Sequence, residues 1–128
     1  MRLLLDTNAM FWWLIDEAKL SPEAHAAIKA KDNEVYVSIA SAWEMAIKVG
    51  LGKWPEARTL LNDFEGLARA EGFRLLPISV AHARNAGLMQ TSHRDPFDRL
   101  LAAQSMLEGL TLVTPDAAFG PLGAPCLW

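Results

Sequence analysis

The sequence predicts an α/β fold of three layers, with helices on both faces of a central, mainly parallel sheet of about five short strands. Short apolar segments alternate along the chain with helical segments, and this alternation is typical of parallel sheets. The first segment, residues 3–5, consists of leucines alone, as expected for a strand that is buried on both faces. The chain has 128 residues, of which 52% are hydrophobic, so we predict a single domain over residues 1–128.

Each predicted element begins or ends at a residue with a clear conformational preference. Ser21-Pro22 and Asp95-Pro96 have the form of an N-cap followed by proline at the first helical position. Pro77 marks the end of a strand or an edge of the sheet. The predicted strands are residues 3–5, 34–38, 73–78, 110–113 and 126–128, and the predicted helices are residues 8–15, 22–30, 40–49, 55–71, 79–89 and 95–108, with a short helical turn beginning at residues 114–116.

Composition excludes several classes of protein. The net charge of −3 and the pI near 5.5 do not indicate a large nucleic-acid-binding surface, although a small site can still reach phosphates through a metal. Cys126 is the only cysteine, which excludes an intrachain disulfide. No apolar segment approaches the length of a membrane span, and residues 1–6 do not resemble a signal peptide. We therefore expect a cytoplasmic protein that has no membrane partner.

Two acidic residues follow predicted strands. Asp6 ends the first strand, and Asp116 follows the strand of residues 110–113. In open α/β sheets the carboxyl ends of the strands form the edge at which ligands bind. Simpler explanations are that Asp6 favours the start of the next helix and that Asp116 is a first-turn acid in a helix capped by Thr114.

Two further acidic residues lie in predicted helices. Glu44 follows Trp43 in the helix of residues 40–49, where an ion pair with Lys48 would also explain it. Asp98 lies on the apolar side of its helix, which indicates an inward-facing ligand, although it can also close a capping box with Asp95. Asp95 itself is either a helix cap or a part of the site.

These four acids, if they meet at one edge of the sheet, predict a metal site. Carboxylates within a few ångströms of one another repel, and Mg²⁺ or Mn²⁺ relieves that repulsion because such ions prefer oxygen ligands. His25, His82 and His93 are too scattered for a zinc site, and His93 is expected to be a loop residue. The sequence contains neither a nucleophile elbow nor a phosphate-binding glycine loop. The predicted chemistry is phosphoryl transfer with a metal-activated water.

Four segments of the chain resemble one family in order and in register. They are Leu3-Leu4-Leu5-Asp6-Thr7-Asn8-Ala9; Ser41-Ala42-Trp43-Glu44-Met45-Ala46-Ile47-Lys48 with Leu51-Gly52-Lys53; His93-Arg94-Asp95-Pro96-Phe97-Asp98-Arg99-Leu100-Leu101-Ala102-Ala103-Gln104; and Leu112-Val113-Thr114-Pro115-Asp116-Ala117-Ala118-Phe119. Together they resemble the PIN domain, and in particular the VapC-type ribonuclease toxins of type II toxin–antitoxin systems. The resemblance extends from Met1 to Trp128.

The resemblance implies a Mg²⁺- or Mn²⁺-dependent endoribonuclease that inhibits translation and growth. It implies an RNA substrate, a small cognate antitoxin that covers the site, and a homodimer. By position, the catalytic residues are Asp6, Glu44, Asp98 and Asp116, of which Asp6, Asp98 and Asp116 bind the metal. The supporting candidates, placed beside these carboxylates or at the substrate, are Thr7, Asn8, Asp95, Thr114, Arg99 and Lys48, and Lys53 and Arg94 are further candidates at the rim.

Other functions and roles remain open at this point. A PIN fold that no longer cleaves can serve as an RNA- or protein-binding module. A haloacid dehalogenase-like phosphatase also begins with a strand-end Asp, but it needs a second acid two residues later, where this chain has Asn8. A separate group of apolar residues belongs either to the core or to a dimer or antitoxin interface: Met10, Phe11, Trp12, Trp13 and Trp54.

Overall fold

A computed structural model describes residues 1–128, which fold around one sheet of five parallel strands. The strands lie in the order β3-β2-β1-β4-β5, so the first strand of the chain is the central one. All four strand pairs are parallel, and the predicted α/β class is confirmed. The strands are β1 (Arg2–Leu5), β2 (Glu34–Ser38), β3 (Arg74–Leu76), β4 (Thr111–Val113) and β5 (Cys126–Leu127).

Seven α-helices connect and cover the strands. Several of them begin after a side-chain cap: Ser21 and Asp95, as predicted, and Ser38 and Ser79 each accept a backbone N–H in the first turn. The helices are α1 (Thr7–Ile15), α2 (Pro22–Lys29), α3 (Ile39–Gly50), α4 (Arg58–Asn62), α5 (Phe64–Ala70), α6 (Val80–Leu88) and α7 (Pro96–Glu108), and 3₁₀ turns cover Glu17–Lys19, Pro55–Ala57 and Ala117–Leu122.

The prediction of one long helix over residues 55–71 is wrong. A 3₁₀ turn, α4 and α5 replace it, and the helical path breaks at Asp63, where φ is −132° and ψ is 41°. Aspartate is a preferred residue at the position before a helix. Gly66 has no side chain and so leaves room for the Asp63 carboxylate beside the first turn of α5. A side chain at residue 66 would collide with that carboxylate.

Leucines 3 to 5 divide the core into its two layers. Leu3 and Leu5 face a cluster built with α1, α2, α3, α4 and α5, whereas Leu4 faces a cluster that includes Leu101 and Leu112 on the opposite side of the sheet. All three leucines are fully buried, as predicted for a strand covered on both faces. No helix in the structure combines the length and the apolar character needed to cross a membrane.

The topology brings β1 and β4 together at the centre of the sheet. The chain runs outward from β1 through β2 to β3, then returns across the sheet to form β4 on the other side of β1. The strand order therefore changes direction between β1 and β4. In open parallel sheets such a switch point leaves a crevice outside the carboxyl ends of the strands. Asp6 and Asp116 both lie on the segments that leave these two strands.

Candidate active site

One small cavity at this switch point collects the four predicted acids. Its volume is about 60 Å³, and polar residues form most of its wall. The acids come from four different elements: the end of β1, the middle of α3, the first turn of α7 and the segment after β4. The residues that line it are Asp6, Thr7, Asn8, Glu44, Asp98, Leu101, Pro115, Asp116 and Phe119.

Asp6 is the most firmly held of these acids. Its Oδ1 accepts the Ala9 N–H at 2.7 Å as the N-cap of α1, and its Oδ2 accepts the Thr114 hydroxyl at 2.5 Å. Burial raises the pKa of Asp6 to about 6, although the hydrogen bonds from Thr114 and Ala9 oppose that rise. The negative charges of Asp98 and Glu44 raise the same pKa further. Asp6 therefore lies at a place where a cation would be stabilised.

Thr114 connects the two strand ends of the site. Its hydroxyl donates to Asp6 and accepts the Asp116 N–H at 3.0 Å. Asp116, which is exposed, is itself the N-cap of the Ala117–Leu122 turn, because its Oδ1 accepts the Ala118 N–H at 2.9 Å. The alternative in which Thr114 caps that turn is wrong, since the turn begins two residues later than that alternative requires.

Glu44 is buried, and its Oε2 accepts the Lys48 ammonium at 2.8 Å. The predicted ion pair is thus present, yet Glu44 also lines the acid cavity, so the two explanations are compatible. Lys48 lies on the outer side of the pair, with its ammonium 5.7 Å from the centre of the Trp54 ring. The pair places one positive charge beside an otherwise acidic cavity.

Asp98 is oriented by His93, which lies in the loop before α7. The Nε2 atom of His93 lies 2.9 Å from Oδ2 of Asp98, where an N–H donates to the carboxylate. Partial burial raises the pKa of Asp98, and the hydrogen bond from His93 opposes that effect. Asp95 is exposed and caps α7 by accepting the N–H groups of Phe97 and Asp98. In the sequence, only the separation of five residues between His93 and Asp98 pointed to this contact, and such a spacing does not predict a hydrogen bond when one partner lies in a loop.

Among the supporting candidates, Thr7 and Asn8 line the cavity, whereas Arg99 is held away from it. The Thr7 hydroxyl donates to Ser41 Oγ at 3.0 Å, a buried link between α1 and α3 that the sequence did not reveal. The Arg99 guanidinium donates to the carbonyl groups of residues 86, 87 and 89. Those bonds fix Arg99 at the carboxyl end of α6, and it does not line the acid cavity.

The donor set suits a hard divalent cation. The ligand atoms available at the cavity are carboxylate, hydroxyl and amide oxygens, with no cysteine, and the volume is enough for an ion with a few waters. No group of three or more His, Cys, Asp and Glu side chains is arranged to hold an ion as the structure stands. Mg²⁺ is compatible with that arrangement because it usually keeps several waters and binds only one or two carboxylates.

The parallel sheet and the acidic crevice at its switch point define this protein as an α/β protein with a carboxylate-lined site at the carboxyl edge of its sheet. The model of the PIN domain family matches residues 3–123, and the chain belongs to that family. A curated relative, Ribonuclease VapC22 of Mycobacterium tuberculosis, is 32% identical over 115 residues, which cover 89% of this chain and 86% of the relative. Because the chain belongs to the PIN family, the alternative of a haloacid dehalogenase-like phosphatase is rejected.

Solved structures show the same fold. VapBC2 from Rickettsia felis, bound to a DNA fragment from its promoter, superposes with a TM-score of 0.71 at 20% identity over 99% of this chain and 98% of that one. FitAcB from Neisseria gonorrhoeae superposes with a TM-score of 0.67 at 20% identity, over 100% and 97% of the two chains. These likenesses confirm the three-layer PIN-like architecture.

Proposed function

We propose that this protein is a Mg²⁺- or Mn²⁺-dependent endoribonuclease and the toxin of a VapBC-type toxin–antitoxin pair. The observation that carries the proposal is the convergence of Asp6, Glu44, Asp98 and Asp116 on one cavity of a PIN domain. The relative named as a ribonuclease supports RNA as the substrate. By cleaving RNA, the protein would inhibit translation and growth.

The four acids share two proposed roles. Asp6, Asp98 and Asp116 would hold the metal directly or through water, and Glu44 would orient the attacking water. A divalent ion at these carboxylates supplies the activation of that water and neutralises charge that develops on the phosphate. Thr114 keeps the Asp6 carboxylate turned toward the cavity, and His93 does the same for Asp98.

The remaining candidates have supporting roles. Asn8 offers an amide at the cavity wall to substrate or to a metal-bound water, and Thr7 fixes α1 against α3. Lys48 partly neutralises Glu44 and offers a positive charge to a phosphate. Asp95 acts as the cap that places Asp98 in the first turn of α7. Arg99 supports the adjoining helix α6 and does not support the metal.

A protein partner is also part of the proposal. VapBC-5 of Mycobacterium tuberculosis is named as a member of the VapBC family of toxin–antitoxin systems, and a structure from Klebsiella pneumoniae is named as a toxin–antitoxin complex. We propose a small cognate antitoxin for this chain. We further propose a homodimer that works in the cytoplasm. Met10 and Phe11 are buried in the core, whereas Trp12 and Trp13 are half-buried and remain candidates for an interface.

The experiment that tests this function is the cleavage of total RNA by the purified protein with Mg²⁺ or Mn²⁺. We expect discrete fragments, no cleavage with EDTA, and a loss of more than 100-fold in Asp6→Asn, since that substitution removes the most buried of the proposed metal ligands. Circular dichroism of Asp6→Asn checks that the fold is intact. Wild-type protein that binds RNA without cutting it would instead establish the inactive binding module.

A further inference from the structure

An aromatic pair, formed by the exposed Trp43 and the half-buried Phe97, joins two helices that border the acid cavity. The Trp43 side chain is 55% exposed, although its size and apolar character would favour burial. Its ring lies 5.1 Å from the Phe97 ring in an edge-on arrangement at 78°. Trp43 directly precedes Glu44 in α3, and Phe97 directly precedes Asp98 in α7. The pair therefore links the two helices that each supply an acid to the cavity.

The acid cavity is small and mostly polar. Its volume of about 60 Å³ accommodates an ion and a few waters, and its acidic wall offers little apolar surface to a nucleobase. A larger groove of about 310 Å³ begins at Trp43 and lies between α3, α6 and α7. Apolar side chains form most of its wall, including Ile78, Pro96 and Leu100. Helices α3 and α7 also supply Glu44 and Asp98 to the acid cavity, so this groove is a candidate site for a base attached to a phosphate at the acids.

Arg99 adds a cationic side chain to this groove. Arg99 lines the groove, and its guanidinium is fixed by the carbonyl groups of residues 86, 87 and 89. Aromatic rings and guanidinium planes are the surfaces on which unpaired RNA bases stack. Because Arg99 is already held in place, a base that contacts it would not have to order a flexible side chain.

Charge alone is a weak attraction between this protein and RNA. The net charge is −3, and the reaction site is lined by acids, so phosphate contacts offer limited affinity. Stacking on an aromatic ring does not depend on net charge and suits single-stranded RNA, whose bases are exposed. The exposed Trp43 ring, on the residue that precedes Glu44, supplies that kind of contact.

We propose that Trp43, braced by Phe97, forms a subsite on which a nucleobase next to the scissile phosphate of single-stranded RNA stacks. This inference rests on the proposed ribonuclease function and assigns it a base-recognition surface. A protein partner is the competing occupant, since Ile39 and Ile47 are exposed on the same side of α3, one turn before and after Trp43. The positions of Trp43 and Phe97, each one residue before a site acid, favour RNA.

The test measures RNA binding without cleavage. Short single-stranded RNAs that carry 2-aminopurine at successive positions are titrated with the full-length protein in EDTA. We expect quenching at one position and a dissociation constant that rises about 5- to 100-fold in Trp43→Ala. Trp43→Phe should recover most of the affinity because it retains an aromatic face. Ile47→Ala is the matched control on the same stripe and should bind RNA as the wild type does.

Light scattering and cleavage assays separate the other outcomes. If Trp43→Ala and Ile47→Ala both convert a dimer to a monomer while RNA affinity per chain is unchanged, the stripe is a protein interface and the proposal is overturned. Unaltered binding by Trp43→Ala, or no binding by the wild type in EDTA, overturns it as well. If quenching depends on Trp43 but no RNA is cut with Mg²⁺ or Mn²⁺, the subsite stands and the proposed nuclease function fails.

Discussion

Asp6 combines two hydrogen bonds with an environment that disfavours its charge. The Ala9 N–H and the Thr114 hydroxyl stabilise the carboxylate, but burial outweighs them and raises its pKa from 3.8 to about 6. The folded state therefore binds the proton more tightly than the unfolded state does, and stability falls as pH rises from about 4 to 6. Above pH 6 the cost in the metal-free protein is about 3 kcal/mol. The buried charge of Asp6 therefore destabilises the metal-free fold, and a bound cation can offset that cost.

Replacing this charge should stabilise the metal-free protein. In Asp6→Asn we expect a gain of about 1–3 kcal/mol at pH 7, because the amide is neutral and can still cap α1. The gain should shrink as pH is lowered from 6 to 4, where wild-type Asp6 becomes protonated in the folded state. Urea unfolding in EDTA at several pH values measures it. A variant less stable than wild type at pH 7 would show that burial is not what dominates at Asp6.

Helix α7 joins structural and chemical roles within its first turn. Asp95 accepts two backbone N–H groups, Pro96 occupies the first helical position, and Asp98 then projects into the acid cavity. The helix ends at Gly109 with a positive φ of 66°, a conformation that glycine adopts without a steric penalty. Both ends of the helix were predictable because the caps are local signals.

Two substitutions can distinguish whether Asp95 is only a helix cap or a part of the site. Asp95→Ala should lose about 1 kcal/mol of stability because two N–H groups of α7 lose their acceptor. Asp95→Asn should retain both stability and RNA cleavage, since an amide oxygen also caps a helix. Thermal unfolding and cleavage rates at saturating metal give the two readouts. A stable Asp95→Asn protein that does not cut RNA would place Asp95 in the site itself.

The side-chain partners that the sequence did not reveal depend on tertiary contacts between elements. The hydrogen bond between His93 and Asp98 requires a loop conformation that no motif specifies. The link between Thr7 and Ser41 joins residues 34 positions apart and arises only when α1 packs on α3. Arg99 was a candidate at the substrate because its side chain is cationic, but its guanidinium donates to carbonyl groups at the end of α6. Such partners are set by packing between elements.

At the scale of the whole molecule, the acid site is a product of topology. Apolar periodicity and caps predicted the parallel sheet, and strand-end acids predicted which edge would carry the site. Glu44 and Asp98 were harder to place, because each also fits a local role as ion-pair partner or cap. Only the packing of α3 and α7 beside the β1 and β4 ends brings them to the same cavity. The site therefore exists only in the folded chain.

That dependence predicts that a divalent ion stabilises the fold, because the ion binds the folded chain far more strongly than the unfolded one. With Mn²⁺ or Mg²⁺ in large excess over its dissociation constant at pH 7.5, we expect the Tm to rise by about 5 °C or more, and EDTA to reverse the rise. The rise should be smaller at pH 5, where a protonated Asp6 competes with the ion. Asp6→Asn is the control: it should melt higher than wild type in EDTA yet gain little from metal. An equal gain in both proteins would show that the ion binds elsewhere.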